Sequence, residues 1–159
     1  MRDHEVRVQR VGERFPRARE LAWRLAEVAA DPVPVEPEAA EMAANRVLDD
    51  VVALEELLEQ MRTSDQAGFP DADLAFHAKI AAMARNVVLE DMLASIRTVI
   101  RGWVERNIAA AGTTRIAYRD HVPIYRAIAA GDPEAARAAM AAHMQAAIRR
   151  LLAQDRRRR

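Results

Sequence analysis

Three histidines and one aspartate are the residues of this chain best suited to do chemistry. Asp73 and His77 lie four positions apart in a segment with helical patterning, which places both side chains on one helix face, with Cβ atoms roughly 5–6 Å apart. His121 and His143 each share a helical face with apolar residues, so both are predicted to point inward from other helices. Buried imidazoles that share a pocket with a carboxylate can be satisfied by one metal ion.

Spacing alone leaves a second interpretation open for these histidines. A lone histidine on an apolar face is more often a core residue whose hydrogen bonds are satisfied by its neighbours. The remaining histidine, His4, has no helical context and is predicted on the surface. The sequence contains no cysteine, so any metal must be bound by His, Asp or Glu.

Composition excludes several classes of protein. The chain has 159 residues, which fits one domain, and 24 basic residues balance 24 acidic residues, whereas nucleic-acid binders usually carry a basic excess. The only dense basic run, Arg156 to Arg159, is typical of a solvated helix end. No apolar stretch is long enough to cross a membrane, and the N-terminus lacks an apolar signal core. We therefore expect a cytoplasmic protein that contacts neither membrane nor, through this chain, DNA.

Helix-favouring residues and apolar positions at 3–4 spacing predict an all-α fold, an antiparallel bundle of about six helices. The predicted domains are an N-terminal extension with a short helix at 1–30, a metal- and effector-binding helical domain at 31–155 and a basic tail at 156–159. The helices are predicted to begin at Pro16, near Pro37, at Asp71, after Asn86, after Thr113 or Thr114, and after the Gly131-Asp132-Pro133-Glu134 boundary.

Three segments together resemble a known family. They are VEPEAAEMAANRVLDDVVALEELLEQM (35–61), PDADLAFHAKIAAMARNVVLEDML (70–93) and HVPIYRAIAAGDPEAARAAMAAHM (121–144). The combined pattern resembles the FCD domain, which is the C-terminal effector-binding domain of the FadR subfamily of GntR-type bacterial transcriptional regulators. The resemblance covers about Val35 to Leu152 and implies the FCD helical bundle.

The resemblance also implies a metal site. Metal-containing members of the family bind a divalent cation with one Asp and three His, which by position are Asp73, His77, His121 and His143. This implies the metal-binding branch of the family. Such a donor set suits Zn²⁺, Ni²⁺, Mn²⁺ or Fe²⁺, with zinc or nickel expected in a purified sample. Open coordination positions would accept a small carboxylate effector.

Arg97 and Arg101 border the apolar stripe of the fourth predicted helix and are candidate effector-binding residues. For both, the alternative is an exposed arginine whose stem covers apolar surface. The family often has an effector-binding Arg a few residues before the position of Glu36, but this chain reads Asp31-Pro32-Val33-Pro34 there. The effector contacts therefore differ from the family pattern.

A full regulator of this type carries a winged helix-turn-helix before the FCD domain. Only about 30 residues precede the resemblance, too few for a winged helix, so we expect a stand-alone domain, a truncated form or a remnant. Direct DNA binding by this chain is therefore not expected. The family's habit of dimerising implies a homodimer.

The leading functional prediction is a metal-dependent sensor of a small organic acid, with no catalytic residue. One alternative is a metal-dependent hydrolase or hydratase, because a metal on three histidines can activate water. Glu90, Asp91 and Glu105 are candidates for its general base by residue type alone. A second alternative is a helical bundle in which the metal serves only stability.

Overall fold

The computed structural model describes residues 35–44, 48–111 and 113–157, and these residues form six α-helices and no strand. The helices are α1 (Val35–Ala43), α2 (Leu48–Thr63), α3 (Phe69–Met83), α4 (Val87–Ala111), α5 (Thr114–Ala129) and α6 (Pro133–Arg157). The prediction of an all-α bundle is confirmed. The predicted extension at 1–30, with its helix from Pro16, lies outside the described residues.

Helix α3 lies at the centre of the bundle. Helices α1, α2 and α4 all pack against it, so it is buried on nearly every side and its sequence lacks a wide polar face. The site-bearing positions Asp73 and His77 are on this central helix. On the other side of the bundle, α6 packs against both α1 and α5. These contacts bring α1, α3, α5 and α6 around one interior.

The boundary between α5 and α6 is sharp because each residue there has a specific backbone role. Gly131 adopts a φ of +66°, in the left-handed region where side chains are strained. The backbone N–H of Asp132 donates to the Ala127 carbonyl (3.0 Å), and the Asp132 side chain accepts from the Ala135 N–H (2.9 Å). Pro133 then opens α6, where its missing N–H costs nothing. This turn fixes the direction in which α6 carries His143.

Two further predicted caps are present. The Asn86 side chain accepts from the backbone N–H of Val88 at 3.1 Å, at the start of α4. The Thr113 hydroxyl accepts from the Arg115 N–H at 3.2 Å, at the start of α5. Both caps satisfy N–H groups that have no partner within the helix. None of the described helices is both long and apolar enough to cross a membrane.

The single helix predicted from near Pro37 to Met61 is wrong, because α1 ends at Ala43 and Ala44 lies in a turn. Both parts carry good helix formers and a shared apolar stripe, which is why the sequence favours one helix. In the structure α1 packs mainly against α6, whereas α2 packs against α3 and α5. Because the two parts have different partners, tertiary packing overrides local propensity here.

Candidate metal centre

The structure brings three of the four predicted ligands into one cluster. His77, His121 and His143 each offer a ring nitrogen, and these nitrogens all lie within 4.8 Å of one another. The Nε2 atoms of His77 and His121 are 3.2 Å apart. The ring of His143 lies 4.2 Å from that of His121, centroid to centroid. Helices α3, α5 and α6 therefore each contribute one imidazole to the same point in the bundle.

Asp73 lies against this cluster rather than within it. Asp73 lies on α3, one turn before His77, and its Oδ1 is 3.2 Å from the Nε2 of His121. The side chain is buried, with a relative exposure of 5%. Asp73 therefore lies at the edge of the cluster that the three imidazoles form.

The ring of His121 has a defined orientation. Its Nδ1 is 2.8 Å from the carbonyl oxygen of Ala117, one turn earlier on α5, so in the neutral ring the Nδ1–H donates to that carbonyl. The Nε2 lone pair then faces His77 and Asp73. The rings of Phe69 and Phe76 meet His121 edge-on and form an apolar wall at the cluster. His121 is fully buried.

A fifth polar residue, Glu36 of α1, joins the site and was not among the predicted ligands. Its Oε2 lies 3.2 Å from the Nδ1 of His77, and its exposure is only 7%. A signal for this burial was present in the sequence. Glu36 precedes Ala39, Ala40 and Ala43 by three, four and seven positions, and these three alanines are the buried face of α1.

The pKa values of His77 and His143 are shifted in opposite directions, because carboxylates face His77 whereas burial dominates at His143. Burial opposes the charged form of His77, but the Glu36 carboxylate, with a smaller contribution from Asp73, raises the pKa of His77 to about 9. Burial, with His121 and His77 nearby, lowers the pKa of His143 well below its ordinary value. Burial alone would raise the pKa of Asp73, but the hydrogen bond to His121 and the charges of His121 and His77 together hold it below the ordinary value. His143 is therefore neutral and available as a ligand at neutral pH.

The donor atoms fit a small divalent cation. A tetrahedral zinc with Zn–N bonds of about 2.0–2.1 Å separates its ligand atoms by roughly 3.3 Å. The His77–His121 nitrogen pair and the Asp73–His121 oxygen–nitrogen pair are both separated by 3.2 Å. The Nδ1 of His143 is buried and makes no hydrogen bond to any described residue. The three imidazole nitrogens, all within 4.8 Å of one another, can hold a metal ion, and Asp73 lies beside His121 as a further oxygen donor.

A cavity of about 220 Å³ lies beside the centre, between α1, α3 and α4. Of the four predicted ligands, only His77 lines it, together with Glu36. Of the two predicted effector-binding arginines, Arg97 lines this cavity. The structure places Arg101 elsewhere, since its guanidinium pairs with the carboxylates of Asp71 and Glu105.

The candidate general bases occupy three different environments. Glu90 lines the cavity, Asp91 is exposed, and Glu105 pairs with Arg101. Among the described residues, none of them forms a hydrogen bond or ion pair with a histidine of the cluster. The arrangement therefore offers ligands for a metal more clearly than it offers a base for a reaction.

Comparison with known proteins identifies the family. The model of the FCD domain matches residues 33–146, most of the chain, and the chain therefore belongs to the FCD domain family. Its fold is similar to that of Streptococcus agalactiae GntR (26% identity, TM-score 0.66), covering 83% of this chain and 60% of that one. It is also similar to E. coli McbR/YncC (21% identity, TM-score 0.68), covering 80% of this chain and 67% of that one. Membership of this family marks the chain as a regulatory domain rather than an enzyme.

Proposed function

We propose that this chain is the effector-binding domain of a bacterial GntR-type transcriptional regulator and that it binds a divalent metal ion. The observation that carries this proposal is the convergence of three buried imidazoles inside an FCD bundle, with the buried Asp73 carboxylate beside one of them. Zn²⁺, Ni²⁺, Mn²⁺ and Fe²⁺ all suit such a donor set. When bound, the metal would supply a positive charge inside the bundle. Elemental analysis of the purified protein tests the metal directly.

The effector in this proposal is a small carboxylate held by the cavity next to the centre. The lining is mainly apolar, and His77 connects it to the cluster. Its charged residues are Arg97 and the two carboxylates Glu36 and Glu90, so Arg97 is the residue suited to bind an anion. A cation in an apolar pocket attracts an anion, and a guanidinium can bind a carboxylate through two hydrogen bonds. The cavity volume of about 220 Å³ can accommodate a small organic acid.

The effector proposal predicts a specific effect at Arg97. A panel of two- to six-carbon mono- and dicarboxylic acids should contain members that raise the melting temperature of the zinc-loaded protein, because a ligand that binds only the folded state stabilises it. Arg97→Ala should weaken binding of those acids about tenfold, since a charge-assisted hydrogen bond contributes about 1.5–3 kcal/mol. Arg101→Ala is the matched control, because Arg101 pairs with Asp71 and Glu105 instead.

The same panel separates the sensor from a purely structural metal site. If no carboxylate shifts the melting temperature of the metal-loaded protein, the metal serves stability alone and the sensor proposal fails. Equal loss of binding in the Arg97 and Arg101 variants would remove Arg97 from the effector contacts.

We further propose that the protein is a homodimer that associates through the outer face of α4. This face exposes large apolar side chains that no other described helix covers: Val88, Met92, Ile96 and Val99. An antiparallel second copy would pack this face against the same face of its partner about a two-fold axis. This packing can set Ser95 opposite Gly102, where two helix backbones can approach closely.

Gly102 supports this arrangement because no contact among the described residues requires a glycine there. Within the part of the chain that the structure describes, a Cβ at Gly102 would meet only the Arg106 guanidinium, at 3.9 Å. Glycine inside a helix costs about 1 kcal/mol relative to alanine. Close packing of a helix from a second copy would explain why a glycine occupies this position.

The dimer prediction can be tested by sedimentation. Ile96→Glu should raise the dissociation constant of the dimer by about 30-fold or more, because it buries a charge in the proposed apolar contact, an effect of about 2 kcal/mol at a central interface residue. Val52→Glu, at an exposed apolar position on α2, is the matched control and should leave the dimer intact. A wild-type protein that stays monomeric at high micromolar concentration would contradict the proposal.

A further inference from the structure

Glu36 is a buried carboxylate whose presence needs a physical reason. Its Oε2 atom and the Nδ1 atom of His77 are 3.2 Å apart, and neither atom makes a well-aligned hydrogen bond with any described residue. Burying a carboxylate without a partner is costly. Glu36 and His77 are therefore each other's only close partners at these two atoms within the described part of the chain.

The two nitrogens of His77 face different neighbours. Nε2 lies 3.2 Å from the Nε2 of His121 and so faces the cluster, whereas Nδ1 faces Glu36. A neutral imidazole that binds a metal through Nε2 carries its proton on Nδ1. An acceptor at Nδ1 then fixes both the tautomer and the orientation of the ring. His121 already has such an acceptor in the Ala117 carbonyl, at 2.8 Å.

We propose that Glu36 is a positioning residue that holds the Nδ1–H of His77 and thereby presents the His77 Nε2 to the metal. This inference rests on the metal site proposed above. It gives α1, which contributes no predicted ligand, a role in metal affinity. It also explains why a carboxylate lies on the otherwise alanine-rich buried face of that helix.

The test compares the pH-independent zinc affinity in the wild type and three variants. Competition with a chromogenic chelator is measured over a pH series, and each affinity is corrected for the proton that zinc displaces from His77. Glu36→Ala should weaken zinc binding about 10- to 100-fold, the usual effect of removing the acceptor behind a ligating histidine. Glu36→Gln keeps an oxygen acceptor and should lose less affinity than Glu36→Ala. Glu38→Ala removes a carboxylate two positions away that pairs with Arg137, and it should bind zinc like the wild type.

A second readout separates positioning from a merely structural role. In zinc-loaded wild type, ¹⁵N correlation spectra should show His77 as the Nδ1–H tautomer with a proton protected from exchange, and Glu36→Ala should lose this protection. If Glu36→Ala does not fold, zinc affinity and the exchange protection of the His77 Nδ1–H are measured on Glu36→Gln instead. Stoichiometric zinc binding by the wild type with unchanged affinity in the Glu36 variants overturns this inference alone. A wild type that binds no stoichiometric divalent ion overturns the proposed metal site, and this inference with it.

Discussion

Removing the metal should lower the melting temperature of the protein by about 10 °C. A ligand present at about 1,000 times its dissociation constant stabilises the folded state by about 4 kcal/mol, and each kcal/mol shifts the melting temperature of a domain of this size by about 2–4 °C. The ligands come from α3, α5 and α6, so a bound ion would join three helices that are distant in sequence. Calorimetry before and after chelation and dialysis, followed by zinc repletion, measures the shift.

The same measurement on His121→Ala tests the site residue by residue. His121 contacts both Asp73 and His77 and lies closest to His143, so its removal should abolish most of the zinc-dependent shift. The variant also loses ring contacts with Phe76, which lowers stability with or without metal. The informative quantity is therefore the difference between the melting temperatures with and without zinc.

His4→Ala is the matched control for histidine removal. His4 lies outside the described residues, and the sequence predicts it on the surface, so this variant should keep the full zinc-dependent shift. If the wild type contains no stoichiometric divalent ion and His121→Ala melts like the wild type in zinc, the three histidines are core residues. That result would end the metal proposal.

The histidine cluster could be predicted from sequence only in part. The spacing of Asp73 and His77, and the apolar neighbours of His121 and His143, predict which face of its helix each side chain occupies. The face of a helix does not determine which helices are its neighbours. Before the structure, only the family resemblance indicated that residues of α3, α5 and α6 form one site, and the structure brings the three histidines together.

The two acceptors that face the Nδ1 atoms of His121 and His77 could not be identified from residue spacing. The carbonyl of Ala117 is a backbone group, and any residue type at that position would supply it. Glu36 lies 41 residues before His77 in the sequence, and no local pattern pairs them. Its position on the alanine-rich face of α1 predicts that Glu36 is buried. The role of a buried glutamate, however, can be inferred only when its partner is known.

The sequence also could not show which of the two candidate arginines lines the cavity. The helical position of Arg101 resembles that of Arg97, and the sequence offers no reason to separate them. In the structure Arg101 pairs with Asp71, 30 residues earlier, and with Glu105, one turn later. A long arginine side chain can take the nearest carboxylate, and which one is nearest depends on how α3 and α4 pack.

Zinc binding should strengthen about tenfold for each pH unit between pH 6.5 and 8.5. In the metal-free protein the nearby carboxylates of Glu36 and Asp73 raise the pKa of His77 to about 9, so this ring is protonated across that range. Zinc can bind His77 only after that proton leaves, and each pH unit makes its departure ten times easier. His143 adds no proton to the competition because burial lowers its pKa well below the ordinary value.

The stability of the metal-free protein should change in the opposite direction. The folded-state pKa of His77 lies above the unfolded value near 6.5, so its charged pairing with Glu36 stabilises fully below pH 6.5 and is lost as the pH rises through about 9. The gap between the melting temperatures of the zinc-loaded and metal-free forms should therefore widen as the pH rises. Calorimetric titration in two buffers of different ionisation enthalpy should count about one proton released per zinc. Glu36→Gln removes the main carboxylate that raises the pKa of His77, so zinc affinity in this variant should depend less on pH. A zinc affinity that stays constant from pH 6.5 to 8.5 in the wild type would show that His77 carries no competing proton.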